Sequence, residues 1–388
     1  MLLLSNNFES FGLDIGDRSL KAAYIKKRGA TARLISWGTL PVAPGILEQG
    51  EIKKPDELAG LIRQVIKSAQ GKTISTPYVN ACLPETHSFI KLLTLNTAHD
   101  GELPALVRED LPNHIPISID ELYLDWQIVE RLNDKQVQVL VGAVPKTIAD
   151  SYAACLAAAG LEPVSLQIEA EAIARALLPQ ADLPKTSIAL VDIGATRSSF
   201  ICFDHGSIQF TITMDIAGDK ITNLIKDKLN LTGAEAEKAK QICGLDNKVG
   251  EGIVMEIVKA VVDDLVNAIG KNIAYYGEHF PRASPITSII LCGGGARLPN
   301  LKESLGAKLG TINIYRGNAL INLVKNLKSV SHRSSDGQLD FLHPDLRFEK
   351  VPAKGWSAWG GNNKQPLPAD LALTYTTAIG LALSNVFN

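Results

Sequence analysis

Two stretches of this 388-residue chain carry the residue types that grip phosphate. The first is Phe11-Gly12-Leu13-Asp14-Ile15-Gly16-Asp17-Arg18-Ser19-Leu20-Lys21. The second is Ala189-Leu190-Val191-Asp192-Ile193-Gly194-Ala195-Thr196-Arg197-Ser198-Ser199. In both, an apolar strand delivers an Asp, one residue intervenes, and a Gly opens a small polar turn. A tight turn of this kind points backbone N–H groups at phosphate oxygens, and small residues allow close approach. A carboxylate at each mouth, Asp14 and Asp192, suits Mg²⁺, which prefers hard oxygen ligands and keeps part of its water shell. Lys21, on the strand leaving the first turn, is within reach of a β- or γ-phosphate. One Asp-x-Gly alone is an ordinary strand end. Two in matching settings are not.

Strand hairpins must position these turns. After Asp14 a strand-like run ends at Arg28-Gly29 and another begins at Ala30; after Asp192 the break falls at His205-Gly206 and the restart at Ser207. Two equivalent hairpins predict two similar half-molecules facing one another across a cleft. A helix over residues 55–66, with Pro55 in its first turn, and a buried strand over 78–83 complete a mixed sheet in the first half. Residues 84–163 read as strand, helix, two strands and helix, a self-sufficient α+β unit that interrupts that half. Residues 168–178 form a helix with Glu169 and Glu171 in its first turns. In the second half, the long helix near 252–276 places Ile253, Ile257, Val261, Leu265 and Ile269 on one core-facing stripe. A buried strand at 288–292 leads into Gly293-Gly294-Gly295, where a base and ribose can approach the backbone with a helix N-terminus behind. Residues 328–370, which include Trp356 and Trp359, read as a long irregular insertion. The apolar helix 371–387 has Gly380 as its only weak spot.

Composition narrows the function classes. Hydrophobic residues at 46% and charged residues at 21% describe an ordinary soluble protein with room for two or more domains. A net charge of −2 gives no reason to expect nucleic acid. The five cysteines lack Cys-x-x-Cys spacing and read as reduced core thiols of a cytosolic protein. The seven histidines form no ligand spacing, and no Gly-x-x-x-x-Gly-Lys-Ser/Thr loop is present. The first residues lack the basic flank of a signal peptide, and no apolar run approaches a membrane span, so attachment to a membrane needs another protein.

The order of two phosphate hairpins, a glycine-rich turn and a closing helix resembles the actin-like ATPase superfamily, whose members include FtsA, heat-shock chaperones and sugar kinases. Within it the chain is most similar to the PilM family of type IV pilus assembly. The likeness rests on Asp14-Ile15-Gly16 through Lys21, on His114-Ile115-Pro116 with Leu124-Asp125-Trp126-Gln127, and on Ala158-Ala159-Gly160-Leu161-Glu162-Pro163. It continues through Ile168-Glu169, Asp192-Ile193-Gly194-Ala195-Thr196, Ala217-Gly218-Asp219, Ala236-Glu237 with Lys240, Cys292 to Leu301, and Ala378 to Leu383.

The resemblance implies an α/β, actin-like (ribonuclease H-like) fold of two lobes with duplicated mixed sheets, an inserted α+β subdomain and a nucleotide cleft between the lobes. The expected division is residues 8–83, completed by 164–187 and 371–388, for the first lobe, with 84–163 inserted. The second lobe takes 188–217 and 277–327, a helical subdomain 218–276, and the insertion 328–370. The cofactors implied are ATP and Mg²⁺. Asp14 and Asp192 stand at the metal, and with Glu169 they are the candidate catalytic carboxylates. Gly16, Ser19, Lys21, Gly194, Ala195 and Thr196 line the phosphates. Gly218, Glu237, Lys240, Gly293, Gly294, Gly295 and Arg297 surround ribose and base.

The implied function is an ATP-binding cytoplasmic scaffold, at most a slow ATPase, peripheral to the inner membrane. It docks the N-terminal cytoplasmic peptide of a PilN-like single-span membrane protein, with the pilus motor ATPases and self-assembly as further expectations. An FtsA-like division protein and a small-molecule kinase on the same fold are the alternatives. The inserted unit disfavours the kinase, and a last helix without Lys or Arg disfavours an FtsA-type membrane anchor. Departures from the family pattern cluster at the site. Asp17-Arg18 replaces the usual Ser-Ser, and an Asp facing phosphates is repulsive unless Arg18 or the metal offsets it. Arg197 replaces a small hydroxyl residue of the second loop and is expected to compensate for the extra acid, and Gln167 stands where Asp is usual for water activation.

Overall fold

The structure is a computed structural model and describes residues 9–28, 31–180, 183–184, 186–280, 282–323 and 367–387. Most of the expected insertion at 328–370, with Trp356 and Trp359, lies outside these residues, as does the Gly29-Ala30 break.

The apolar runs at the start fold as a meander: β1 (Phe11–Ile15), β2 (Ser19–Arg28) and β3 (Thr31–Pro41) pair antiparallel in order. A small ribbon, β4 (Leu47–Glu48) with β5 (Glu51–Ile52), precedes α1 (Pro55–Ser68). Asp56 and Glu57 complement the helix dipole at its start, and Leu58, Ala59, Ile62 and Val65 form its buried face. The crossover adds β6 (Gln70–Gly71) to the edge beside β3 and returns as β7 (Tyr78–Leu83), parallel to β1.

The inserted unit follows: β8 (Phe89–Asn96), α2 (Leu103–Asp110), β9 (Leu122–Asn133), β10 (Gln136–Pro145) and α3 (Lys146–Ala158). It has its own core of Leu93, Val107, Leu111, Val137 and Val139. It does not stand apart, because β8 pairs with a strand of the second half at Lys91↔Phe210 and extends that sheet to eight strands. β11 (Glu162–Ile168) then pairs parallel to β7, with a register shift at Pro163/Ser165. Pro163, which cannot donate to a ladder, hides this edge strand from a periodicity reading. α4 (Glu169–Leu177) follows at once.

The second half repeats the first. β12 (Ile188–Ile193), β13 (Ser198–Asp204) and β14 (Ser207–Met214) form the antiparallel meander. α5 (Gly218–Leu229), α6 (Gly233–Cys243) and α7 (Ile253–His279) intervene before β15 (Ser288–Cys292) returns parallel to β12. α8 (Leu301–Leu309) leads to β16 (Asn313–Arg316). The orders β11-β7-β1-β2-β3 and β16-β15-β12-β13-β14 are the same five-strand pattern twice.

Two expectations are corrected. Ile253 is 52% exposed, and the buried stripe of α7 runs instead through Val254, Val258, Val261, Leu265 and Ile269. The turn before the helix, with Gly252 at φ +74°, starts α7 in a phase that turns its first residue outward. Gly380 is no weak spot in α9 (Thr376–Phe387). A Cβ there would lie 1.8 Å from the Ala172 carbonyl of α4, and one at Gly12 would lie 2.1 Å from the Ala378 carbonyl. These glycines let α9 press directly onto β1 and α4, locking the first-lobe sheet beneath the first phosphate loop.

Candidate functional site between the two hairpins

The two Asp loops face one another, and each closes by the same bond. Gly16 N–H donates to Ser19 O (3.1 Å), and Gly194 N–H donates to Arg197 O (2.9 Å). Those two N–H groups are therefore spent inside their own turns. The N–H groups of Asp17 and Arg18 in one apex, and of Ala195 and Thr196 in the other, make no hydrogen bond among the described residues. Unpaired N–H groups at facing loop tips form an anion cradle.

Each Asp also has a thiol beside it on the neighbouring parallel strand. Cys82 Sγ of β7 donates to Asp14 Oδ1 (3.7 Å), and Cys292 Sγ of β15 donates to Asp192 Oδ1 (3.4 Å). Burial first, then the adjacent carboxylate, pushes both thiols well above their ordinary range, so both stay protonated donors. The loops differ in charge. Register places Lys21 opposite Asp14, and the pair closes at 2.9 Å; the matching register places Ser199 opposite Asp192. Burial works to lower the Lys21 ammonium, but Asp14, Asp192 and Glu169 outweigh it and hold it above its ordinary value. Asp192 has no such partner: burial and Asp14 push its carboxyl up, and its Oδ2 accepts no hydrogen bond among the described residues.

Glu169 opens α4 below the loops and accepts from the Thr377 hydroxyl (3.3 Å). Burial, then Asp192 and Asp14, push its carboxyl up to about 8. Gln167 is committed elsewhere, donating to Ser165 Oγ (2.8 Å) and accepting from Arg175 (2.7 Å). Glu85, missed from sequence, also belongs here. It is 4% exposed in the turn after β7; burial pushes its carboxyl up against the pull of Thr211 and Arg197, and its Oε2 makes no hydrogen bond among the described residues. A charged residue two positions after the buried β7 run was the signal available.

Beside the loops lies a cavity of about 900 Å³, lined by Gly194, Ala195, Gly218, Glu237, Lys240, Gly294, Gly295 and Arg297 among others. Lys240 spans its wall by bonds to Glu237 Oε2 (2.7 Å), Gly218 O (3.1 Å) and Thr222 Oγ1 (2.9 Å). Burial opposes the Glu237 charge, but Lys240 and Thr222 overcome it and keep the carboxyl below its ordinary value. Arg297 pairs with Asp370 (3.2 Å). Ile221, Val261, Val262, Leu265 and Leu298 supply an apolar wall. Polar groups at one end and an apolar slot at the other suit a ligand with a flat apolar ring and an anionic tail.

Of the predicted residues, Gly194, Ala195, Gly218, Glu237, Lys240, Gly294, Gly295 and Arg297 line this cavity, while Asp14, Gly16, Ser19, Lys21, Glu169, Asp192, Thr196 and Gly293 do not. Gly293, at φ +78°, turns away from the cavity and backs onto Asp192, where a Cβ would lie 2.4 Å from Oδ1. No α-helix starts directly behind the glycines: a 3₁₀ turn (Gly295–Arg297) intervenes, because Pro299 keeps Leu298 extended and delays α8. The residues present fit Mg²⁺ held through water. Asp192 Oδ2 is open, while no group of three or more His, Cys, Asp or Glu among the described residues forms a direct ligand set.

Comparison with known proteins bears on the fold and the family. A solved PilM–PilN type IV pilus biogenesis complex superposes at TM-score 0.77, covering 98% of this chain and 99% of that one, at 22% identity. EutJ from Carboxydothermus hydrogenoformans matches at TM-score 0.52 over 81% of this chain and 87% of its own, at 14% identity. MreB5 of Spiroplasma citri bound to ADP matches at TM-score 0.50 over 80% and 92%, at 15% identity. Among curated relatives, FtsA of Bacillus subtilis is 23% identical over 264 residues, 62% of this chain and 59% of its own. FtsA of Pseudomonas aeruginosa is 31% identical over 105 residues, 26% of this chain and 25% of its own. The chain thus spans a quarter to three-fifths of these relatives. The fold is actin-like, and no helix among the described residues is long and apolar enough to cross a membrane. Residues 12–340 match the family described as type IV pilus assembly protein PilM, and the chain belongs to that family.

Proposed function

We propose that this chain is an ATP-binding scaffold of a type IV pilus or related machine, working in the cytoplasm against the inner membrane through a PilN-like partner. The observation that carries the nucleotide reading is the pair of facing loops, whose unpaired N–H groups stand beside a cavity with an apolar slot. The MreB5 structure bound to ADP, on the same fold, supports it. Mg²⁺, when bound, would supply charge neutralisation at the phosphates. Asp14 and Asp192 hold its water shell, Lys21 meets the phosphate tail, and Gly218, Glu237, Lys240, Gly294, Gly295 and Arg297 enclose ribose and base. Glu169 is the residue nearest to a general base. No second base stands ready beside it among the described residues, because Gln167 is committed to Ser165 and Arg175, which favours the nucleotide as a setter of conformation over fast turnover.

The partner reading rests on family membership and on the PilM–PilN complex. Its test is a pull-down with the N-terminal cytoplasmic peptide of the cognate PilN-like protein, against a scrambled peptide. Saturable capture of the native peptide alone is expected; equal capture of both contradicts the docking role.

A further inference from the structure

The residue that made the first loop look unsuited to phosphate is already bonded like one. Asp17, at the apex of the first loop, has a side chain only 3% exposed. Its carboxylate accepts from Gly50 N–H (3.0 Å), from the Thr196 hydroxyl (2.8 Å) and from the Arg197 guanidinium (3.2 Å). A backbone amide, a hydroxyl and a guanidinium around one anion are the donors a phosphoryl group would take. Two of the three belong to the opposite loop, so the carboxylate bridges the lobes where the tips meet. Next to it Arg18 pairs with Asp219 at the start of α5 (2.8 Å), a second bridge between the lobes. The cavity stops at this latch. It reaches Arg18, Gly194 and Ala195, but Asp14, Asp17, Lys21, Asp192 and Thr196 do not line it.

Resting on the nucleotide reading above, we propose that Asp17 sets which nucleotide the cleft accepts. Its carboxylate fills the position of the outermost phosphate between the loop tips, so ATP enters only by displacing it, whereas a nucleoside diphosphate enters without doing so. The argument is one of reach. A base in the apolar slot sends its phosphates toward the loops, and the third phosphate is the group that extends furthest into the space between the tips. That phosphate has to expel Asp17 from Thr196 and Arg197, and like charges in a partly dry site repel strongly. A diphosphate ends short of the latch and leaves it closed. Discrimination therefore comes from a repulsive group built against the longer ligand. Arg197 belongs to the same device, since it supplies the counter-charge that keeps Asp17 in place.

The test compares ADP and ATP, each with Mg²⁺, by calorimetry on the full chain as wild type, Asp17→Ser and Asp17→Asn. Wild type is expected to bind ADP at least tenfold more tightly than ATP. Asp17→Ser should gain at least tenfold for ATP and change less than threefold for ADP. Asp17→Asn, which keeps the shape without the charge, should fall between. Small-angle scattering without nucleotide gives an independent reading: Asp17→Ser should be more open than wild type. Wild-type preference for ATP, or no ATP gain in either variant while ADP still binds, overturns this inference and leaves the nucleotide reading standing. Absence of binding for both nucleotides in all three proteins overturns both.

Discussion

The first and second Asp hairpins have nearly the same backbone and unlike charge. Each has an antiparallel partner on one side, a parallel partner on the other, a closing Gly N–H bond, and a thiol on its Asp. The repeated part builds the cradle. The differing parts give it direction: Lys21 pairs directly with Asp14, while Ser199, in the matching register position, leaves Asp192 with only the longer-range charges of Lys21 and Arg197. One carboxylate is held in a direct ion pair, and the other is not, because the cation of its own loop, Arg197, pairs across the cleft with Asp17. Duplicated strands thus make an asymmetric site, which is what a ligand with a negative tail and an attendant cation requires.

Exchanging matched residues tests that contrast most severely at the cation. Lys21→Ala leaves Asp14 buried without its partner, and a loss of about 3 kcal/mol is expected. Ser199→Ala should cost no more than about 1 kcal/mol. Denaturant unfolding without ligand compares the two directly, and equal losses would dissolve the asymmetry. At the carboxylates the expected sizes differ. Asp14→Ala strands the Lys21 ammonium and destabilises by about 2 kcal/mol, whereas Asp192→Ala breaks no direct ion pair and should cost less.

A pH series sharpens the same point. Glu169 and Asp192 hold protons more tightly when folded than when unfolded. Stability should therefore be fully present below the ordinary carboxylate range and decline as pH rises toward about 8, the Glu169 value. Glu169→Gln should flatten that decline between pH 5 and 8, followed by thermal unfolding; an unchanged slope would place the titration elsewhere. The smallest effect belongs to the feature the hairpins share. Cys82→Ala and Cys292→Ala should each cost about 1 kcal/mol, and a large difference between them would show that the two Asp environments are less alike than their geometry.

What the sequence revealed follows the range of the interactions. Asp14, Gly16, Lys21, Asp192 and Gly194 were legible because a strand, a turn and a seven-residue return are local. Glu237 and Lys240, three apart on α6, were legible for the same reason. The Asp17 bridge joins residues 179 and 180 positions apart; Arg197 was legible as a compensating charge, but the Thr196 and Gly50 donors were not. Glu85 was hidden because its neighbours come from α4 and β14. Gly380 reads as a helix defect until Ala172 is seen against it. The joining of β8 to β14 depends on a single antiparallel contact across more than a hundred residues, which no periodicity records.

Calorimetric titration of the full chain with an adenine nucleotide and Mg²⁺, wild type beside Asp14→Ala and Asp192→Ala, tests the central claim most directly. The account predicts one site per chain, dependent on Mg²⁺ and weakened at least tenfold by either substitution, one from each hairpin. Binding that survives both substitutions, or no binding by the wild type, would contradict it.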